Sequence, residues 1–261
     1  MMYEDWLILF ALVFARVAGL TMTAPIYGTN DVPLQVRVLL AVALASLIAP
    51  LELHVAAVSF GSLVHLLVML GVEAAVGACL GLGVLVLIHA MTLAGELIAQ
   101  ASGLGIAEMF DPMIEENVSL FGRLMFLAAV TIFLCIGGHR MVMAGLLDTF
   151  QTIPPGSGEF PGTLADGFTT LVGMSFSLGV RVAAPVVTSL LLATIVLGLI
   201  GRTLPQLNIM ALGFGLNSLL AFAALGLTFG AAAWAFQDQI EPAMKTIFDA
   251  LKTPLRVEWM S

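Results

Sequence analysis

Charged side chains are rare in this 261-residue chain, so those that occur inside apolar stretches are the first candidates for chemistry. Arg16, Glu73 and Arg181 each lie within a long apolar run. A charge in such a run faces protein or water, because facing lipid costs several kcal/mol. Each of them is therefore expected to face protein or water and not lipid. For Glu73 we favour a structural role, paired in the interior, over a proton relay.

A second group of charges is the set of acids in residues 95–123, where no Lys or Arg occurs before Arg123. These acids are Glu96, Glu108, Asp111, Glu115 and Glu116. Gly103 and Gly105 permit backbone angles that are closed to other residues. Pro112 pushes the residue before it out of the helical region. We therefore predict an irregular segment here, between two membrane-type helices.

This segment has two interpretations, a loop at the membrane surface or a re-entrant loop that fills a pore. Surface loops are the common case, whereas irregular backbone at membrane depth requires surrounding protein or a water-filled cavity. Apolar side chains can close a pore by excluding water, and the acids would then face pore water or polar groups of partners. We favour a closed-state seal in residues 103–117. The candidate plug residues are Gly103, Leu104, Gly105, Ile106, Met109, Phe110, Asp111 and Pro112.

A third polar group lies in residues 201–208, between two long apolar runs. Pro205 stops a helix, and the side chains of Arg202, Gln206 and Asn208 can all donate hydrogen bonds. A plain helix-hairpin loop would explain the segment. We favour a polar contact in an assembly, and we do not expect a substrate site.

Composition excludes several classes of function. Sixty per cent of the residues are hydrophobic, 10% are charged and the mean hydropathy is +1.08, whereas a soluble domain is nearer 45–50% apolar and about 25% charged. The chain is therefore expected to be an all-α integral membrane protein. A net charge of −8 argues against nucleic acid as a partner. The four His have no metal-ligand spacing and no catalytic constellation is evident, so we expect no enzyme activity, metal or cofactor.

The apolar runs define the predicted architecture. They cover residues 6–24, 39–51, 63–93, 124–136, 168–200 and 209–236. In the third run Glu73, Gly77 and Gly81 share one helix face, and small residues four apart allow helices to approach closely. Pro185 predicts a kink in the fifth run. A linker rich in Pro and Gly, residues 152–166, separates residues 1–151 from residues 167–261, which end in an amphipathic tail.

The order and spacing of short motifs along nearly the whole chain resemble the FliR family of flagellar type III export proteins and its SctT-type injectisome relatives. The pieces are Arg16-Val-Ala-Gly-Leu with Pro25, Val32-Pro33 with Arg37, Glu73 with Gly77 and Gly81, Gly95-Glu96, Gly103 with Asp111-Pro112, and Gly201-Arg-Thr-Leu-Pro-Gln-Leu-Asn208 with Gly213-Phe214. The last piece is the most specific. Residues 173–251 also resemble FliQ, through Ala183-Ala-Pro185, Gln206-Leu-Asn208-Ile-Met210 and Trp234.

The resemblance implies a fold in which a FliP-like helical part is fused to a FliQ-like kinked helical hairpin. It implies a gate, built with FliP-like and FliQ-like proteins beside an FlhB-like protein, that passes unfolded export substrates across the bacterial inner membrane at the flagellar basal body. In this family the loop matching residues 103–117 plugs the pore. The remaining candidate residues, Arg16, Glu73, Arg181, Arg202, Pro205, Gln206 and Asn208, would make assembly or polar contacts.

Two other functions are kept as alternatives. The first is an export-gate subunit of an injectisome, because the Pro-Gln-x-Asn element is shared with the virulence relatives. The second is a small-molecule transporter that uses Arg16, Glu73 and Arg181 as midplane charges. Transporters often contain repeated halves, and the halves of this chain differ in the number and spacing of their apolar runs, which argues against the second alternative.

Overall fold

The computed structural model of the chain describes residues 2–25, 32–52, 62–104, 118–157, 162–203 and 209–252. Within these residues the regular structure is helical throughout. The α-helices are α1 (Met2–Thr23), α2 (Leu34–Ile48), α3 (Leu63–Ser102), α4 (Leu120–Cys135), α5 (Gly138–Thr152), α6 (Leu164–Thr203) and α7 (Ile209–Lys252). A short 3-10 helix, Ala49–Glu52, follows α2. It contains Pro50, which cannot donate a helical hydrogen bond.

Five helical stretches of the described residues are long and apolar enough to cross a membrane: Trp6–Thr23, Leu34–Leu51, Leu63–Ser102, Leu164–Thr203 and Gly213–Leu251. Helices α4 and α5, which follow each other in the chain, together form a sixth candidate. Gly137 separates them and has a φ of +80°, a left-handed conformation that suits glycine. The predicted class, an all-α integral membrane protein, is confirmed.

Several helices are longer than the apolar runs that predicted them. Helix α3 continues past residue 93 to Ser102, so the irregular segment predicted over residues 95–123 is wrong at both ends, where residues 95–102 and 120–123 are helical. Gly95 lies inside α3 and packs directly against α4. A Cβ on Gly95 would overlap the backbone of Phe121 and Gly122, so the close contact between the two helices explains a glycine at this position. Helix α3 ends where Gly103 adopts a φ of +82°, as glycines after helices commonly do.

The chain divides into two compact units, each built from separate stretches of sequence. The first unit comprises Met1–Leu87, Gly137–Val172 and Pro242–Ser261, and the second comprises Ile88–Ile136 and Gly173–Glu241. The linker predicted over residues 152–166 thus lies within the first unit.

Glycines set the distance between α1 and α3 in the first unit. A Cβ on Gly77 would overlap the backbone carbonyl of Arg16, and one on Gly19 would overlap that of Ala74. A Cβ on Gly81 would overlap the Thr23 side chain and the backbone of Leu20 and Ala24. The close helix approach predicted for Gly77 and Gly81 is therefore present, and α1 is the helix that makes it.

Glycines of three other helices also pack against the end of α7 within the first unit. A Cβ on Gly83 of α3 would overlap Ile247, one on Gly145 of α5 would overlap the Phe248 ring, and one on Gly167 of α6 would overlap Ala250. The Thr163 hydroxyl also donates to the Ala250 carbonyl at 2.9 Å. Three helices thus pack closely against residues 242–252.

Candidate functional site

A buried ion pair lies between α1 and α3. The Arg16 Nε donates to Oε2 of Glu73 at 2.6 Å, and the two side chains are 0% and 2% exposed. Both residues belong to buried helix stripes. On α1 the stripe is Leu12, Val13, Arg16, Val17 and Leu20, and on α3 it is Glu73, Val76, Leu80, Val84 and Leu87. These stripes have the spacing of one helix face, so packing the two apolar faces brings the opposite charges together.

The rest of the Arg16 guanidinium binds the end of α5. One terminal nitrogen donates to the Thr149 hydroxyl at 3.2 Å, and the other donates to the Ile153 carbonyl at 2.9 Å. The guanidinium carbon also lies 4.3 Å from the centre of the Phe150 ring, a distance typical of cation–π attraction. The Arg16 guanidinium therefore contacts the end of α5 both through hydrogen bonds and through an aromatic ring.

The second carboxylate oxygen of Glu73 is engaged as well. Its Oε1 accepts from the Gly156 backbone N–H at 2.9 Å, and Gly156 has the left-handed φ of +82° that glycine supplies at low cost. The Arg16–Glu73 pair thus joins α1, α3 and the turn after α5, all within the first unit. Because both oxygens of Glu73 are bound by donors of this unit, the geometry favours pairing over proton relay.

A separate polar junction joins α3 to α4 in the second unit. Oε1 of Glu96 accepts from the backbone N–H of Ser119, the residue that precedes α4, at 2.8 Å. The Ser119 hydroxyl in turn accepts from the Gly122 N–H at 3.0 Å. In an ordinary capping box, a Glu or Gln three residues after the cap satisfies the cap's own N–H. Here that position is Gly122, which has no side chain, and Glu96 supplies the carboxylate from another helix.

The same junction lies next to the end of α3. The Gly103 N–H donates to the Gln100 carbonyl at 3.2 Å, and the Ser102 hydroxyl donates to the Ala99 carbonyl and accepts from the Leu104 N–H. The structure therefore describes both chain ends that flank residues 105–117, one after Ser102 and the other before Ser119.

The predicted site residues fall into two groups. Arg16, Glu73, Gly103, Leu104, Arg181 and Arg202 are described, whereas Gly105, Ile106, Met109, Phe110, Asp111, Pro112, Pro205, Gln206 and Asn208 lie outside the described residues. Of the four predicted charges that are described, Arg16 and Glu73 contact each other. Arg181 and Arg202 are exposed on α6. In the part of the chain that the structure describes, no group of three His, Cys, Asp or Glu could hold a metal ion.

Four contributors to these contacts were not among the predicted site residues. Thr149 and Phe150 line the Arg16 pocket, and Glu96 and Ser119 form the α3–α4 junction. Signals for the second pair were present, since a lone acid in an apolar helix must find a partner and a Ser before an apolar run is a common N-cap. Thr149 and Phe150 carried no such signal, because they are ordinary residues of an amphipathic helix.

Comparisons with known proteins cover most of the chain. A family model described as "Bacterial export proteins, family 1" matches residues 7–243. The flagellar biosynthetic protein FliR of Aquifex aeolicus (strain VF5) is 32% identical over 214 residues, covering 82% of each chain. FliR of Escherichia coli (strain K12) is 33% identical over 213 residues, or 82% of this chain and 81% of that protein. FliR of Bacillus subtilis (strain 168) is 29% identical over 225 residues, or 83% and 84%. The chain therefore belongs to the FliR family of bacterial export proteins.

Proposed function

We propose that this chain is a core subunit of the flagellar protein export gate, acting as a structural and gating component and not as an enzyme. In this proposal it joins FliP-like and FliQ-like proteins, beside an FlhB-like protein, in the bacterial inner membrane at the flagellar basal body. The assembly passes unfolded export substrates and has no role in binding nucleic acid. The flagellar names of the relatives support this version over the injectisome alternative.

The observation that carries the proposal is the length of the apolar helices. Helices α3, α6 and α7 contain 40, 40 and 44 residues. A straight helix of 40 residues is about 60 Å long, and the hydrocarbon core of a bilayer is about 30 Å thick. Much of each helix must therefore lie outside the hydrocarbon, where an apolar surface is stable only if protein covers it.

Helix α6 has a large apolar surface that the described residues leave uncovered. Only 17% of its most apolar part is buried. The exposed side chains include Leu191, Leu192, Ile195, Val196 and Leu199. On α7, Gly226 and Gly230 have nothing within 4 Å of where a Cβ would lie, so their small-residue face is open to another helix. Partner helices of similar apolar character would fit both surfaces.

Co-expression tests the proposal directly. The chain is produced in a membrane host alone, with FliP-like and FliQ-like proteins from the same source, and with an unrelated membrane protein as a control. We expect the two export proteins to copurify with it and to raise its yield and monodispersity in detergent. An equally stable, monodisperse chain in all three cultures would refute the assembly role and would support a self-sufficient transporter.

We also propose that residues 103–117 form the closed-state seal of the gate. Of these, Gly103 and Leu104 are described and the rest are not. The support is chemical: apolar Leu104, Ile106, Met109 and Phe110 suit a water-excluding constriction, and acids on the same segment are costly in lipid.

An in-frame deletion of residues 106–113 tests the seal. In cells whose own gene is replaced by the variant, we expect the complex to assemble and the membrane to conduct ions and admit small solutes that the parent excludes. An intact complex that is no leakier than the parent would show that the segment is a surface loop.

A further inference from the structure

We infer that the exposed face of α6 around Arg181 binds a partner helix that carries a carboxylate, and that this carboxylate pairs with the Arg181 guanidinium. The inference rests on the assembly role proposed above and adds the chemistry of the partner. It concerns residues 173–188 of α6, which precede the exposed apolar side chains at Leu191 and Leu192.

The first observation is a charge without a partner on an apolar helix. Arg181 is exposed, and within the part of the chain that the structure describes its side chain makes no hydrogen bond and no ion pair. An arginine side chain has hydrogen-bond donors and no acceptor. Because a charge that faces lipid is costly, the guanidinium requires an acceptor that the described residues do not supply.

Pro185 adds a second unsatisfied group one turn away. In a regular helix the N–H of residue 185 binds the carbonyl of residue 181, and proline has no N–H to donate. The Arg181 carbonyl therefore lacks its usual donor, and Pro185 is exposed like Arg181. This part of α6 thus combines the guanidinium donors with a backbone acceptor, and a protein partner can satisfy both.

The third observation is the small size of the neighbouring side chains. Gly173, Ser177 and Ala184 are all exposed. They share one face of α6 with Arg181, at a spacing of three or four residues. At Gly173 nothing lies within 4 Å of where a Cβ would be. Small residues at this spacing let a second helix approach closely, which brings the side chains of that helix within reach of the guanidinium.

A lipid headgroup fits this position less well than a carboxylate on a helix. Headgroups lie where an apolar protein surface gives way to a polar one, whereas Arg181 lies inside an apolar stretch. Phe176 and Val180 precede it and are 61% and 42% exposed. Leu191 and Leu192 follow it and are exposed as well. A carboxylate on an apolar helix has the complementary need, since it too must avoid lipid and find an opposite charge.

Removal of the charge in the assembled complex is the first test. The chain is co-expressed with FliP-like, FliQ-like and FlhB-like proteins of the same source, and complex recovery and motility are measured. Arg181→Met should lower both by about tenfold, because a charged hydrogen bond is lost and the partner carboxylate is left unpaired. Arg181→Lys keeps a cation and should retain more of both. In the isolated chain, the thermal unfolding midpoint of Arg181→Met in detergent should equal that of the parent.

A search for the partner carboxylate is the second test. Each Asp and Glu in the apolar helices of the three partner proteins is replaced by Asn or Gln, alone and together with Arg181→Met. We expect one acid whose replacement adds little to the loss that Arg181→Met already causes, which is the signature of two residues in contact.

The size of the side chain at position 177 is the third test. Ser177→Leu should reduce complex recovery, because it adds bulk where the partner helix approaches, and Ser177→Ala, which stays small, is the matched control. Lipid chains would accommodate either side chain, so equal recovery of the two variants would contradict a closely packed helix.

The outcomes separate this inference from the assembly role on which it rests. If the parent chain copurifies with its partners and Arg181→Met changes neither recovery nor motility, the pairing is wrong and the assembly role stands. If the parent chain does not copurify, the proposed function itself fails and the inference fails with it. If Arg181→Met lowers the midpoint of the isolated chain, Arg181 is an internal structural residue and the inference is overturned. If no partner acid couples to Arg181, the inference is also overturned, and recovery that depends on added anionic phospholipid would then identify a headgroup as the ligand.

Discussion

Arg16 and Glu73, 57 residues apart in the sequence, form a 2.6 Å ion pair in the almost fully buried interface between α1 and α3. The pair also fixes the end of α5 through Thr149 and Ile153, and the following turn through Gly156. Three separate parts of the chain therefore depend on two charges. We expect the first unit to be more sensitive to their removal than to the loss of any single apolar contact.

Replacing one member of the pair should be strongly destabilising. Glu73→Ala leaves the Arg16 guanidinium buried without a counter-charge, and uncompensated buried charges cost about 3–5 kcal/mol. We expect a large fall in the thermal unfolding midpoint of the purified protein in detergent. Glu241→Ala, which removes an exposed acid on α7, is the control and should change the midpoint little.

Replacing both members should be less harmful than the single changes suggest. In Arg16→Met/Glu73→Leu neither charge of the pair is left in this interface, and apolar replacements of buried ion pairs are often tolerated. The same unfolding measurement should show a loss smaller than the sum of the two single losses. Additive losses would mean that the two residues act independently, contrary to the geometry.

Two glycines of α3, Gly71 and Gly77, should respond differently to replacement by alanine. Gly77→Ala places a Cβ against the Arg16 carbonyl, whereas the exposed Gly71 has nothing within 4 Å. Overpacking costs typically about 1–3 kcal/mol, while Gly to Ala in an open helical position gains up to about 1 kcal/mol. Unfolding of the isolated chain in detergent should therefore be easier for Gly77→Ala and unchanged or harder for Gly71→Ala. A similar response of both variants would contradict the close approach of α1.

A double-mutant cycle of Gly145 and Phe248 should reveal the packing of α7 on α5. Gly145→Ala adds a methyl group against the Phe248 ring, and Phe248→Ala removes that ring. Each single change should lower the unfolding midpoint, through overpacking in the first case and lost contacts in the second. The double variant should be more stable than the sum of both effects predicts, since the new methyl then meets no ring. Strict additivity would show that the two residues are not in contact.

Arg202 offers a prediction about assembly. It is exposed in the last turn of α6, and we propose that partners use it as a hydrogen-bond donor. Arg202→Ala should reduce complex recovery and motility together, by roughly tenfold if a charged hydrogen bond is lost. Thr203→Ala is the control, because the Thr203 hydroxyl bonds to its own helix through Ile200 and Leu199. Normal assembly with lost export would instead indicate a role in transport.

The sequence alone was sufficient for the class of protein and for most helices. Long continuous apolar runs favour helices, since lipid cannot satisfy exposed backbone groups and a helix satisfies its own. The spacing of Gly77 and Gly81 also predicted a helix contact, because residues four apart share one face whatever the rest of the fold does. Helix ends were predicted less well: α3 runs to Ser102, since Gly95 serves packing inside the helix and the left-handed residue that follows the helix is Gly103.

Only the tertiary structure decided which groups meet. Nothing local to Arg16 indicates that its partners are Glu73, Thr149 and the Ile153 carbonyl, 57, 133 and 137 residues away. Those contacts depend on which apolar faces pack together. The sequence does not distinguish between apolar faces of equal hydrophobicity, so it does not show which helices pair. The Glu96 cap was hidden for the same reason: its acid and its serine are 23 residues apart, and the close packing at Gly95 and Gly122 brings them within hydrogen-bonding distance.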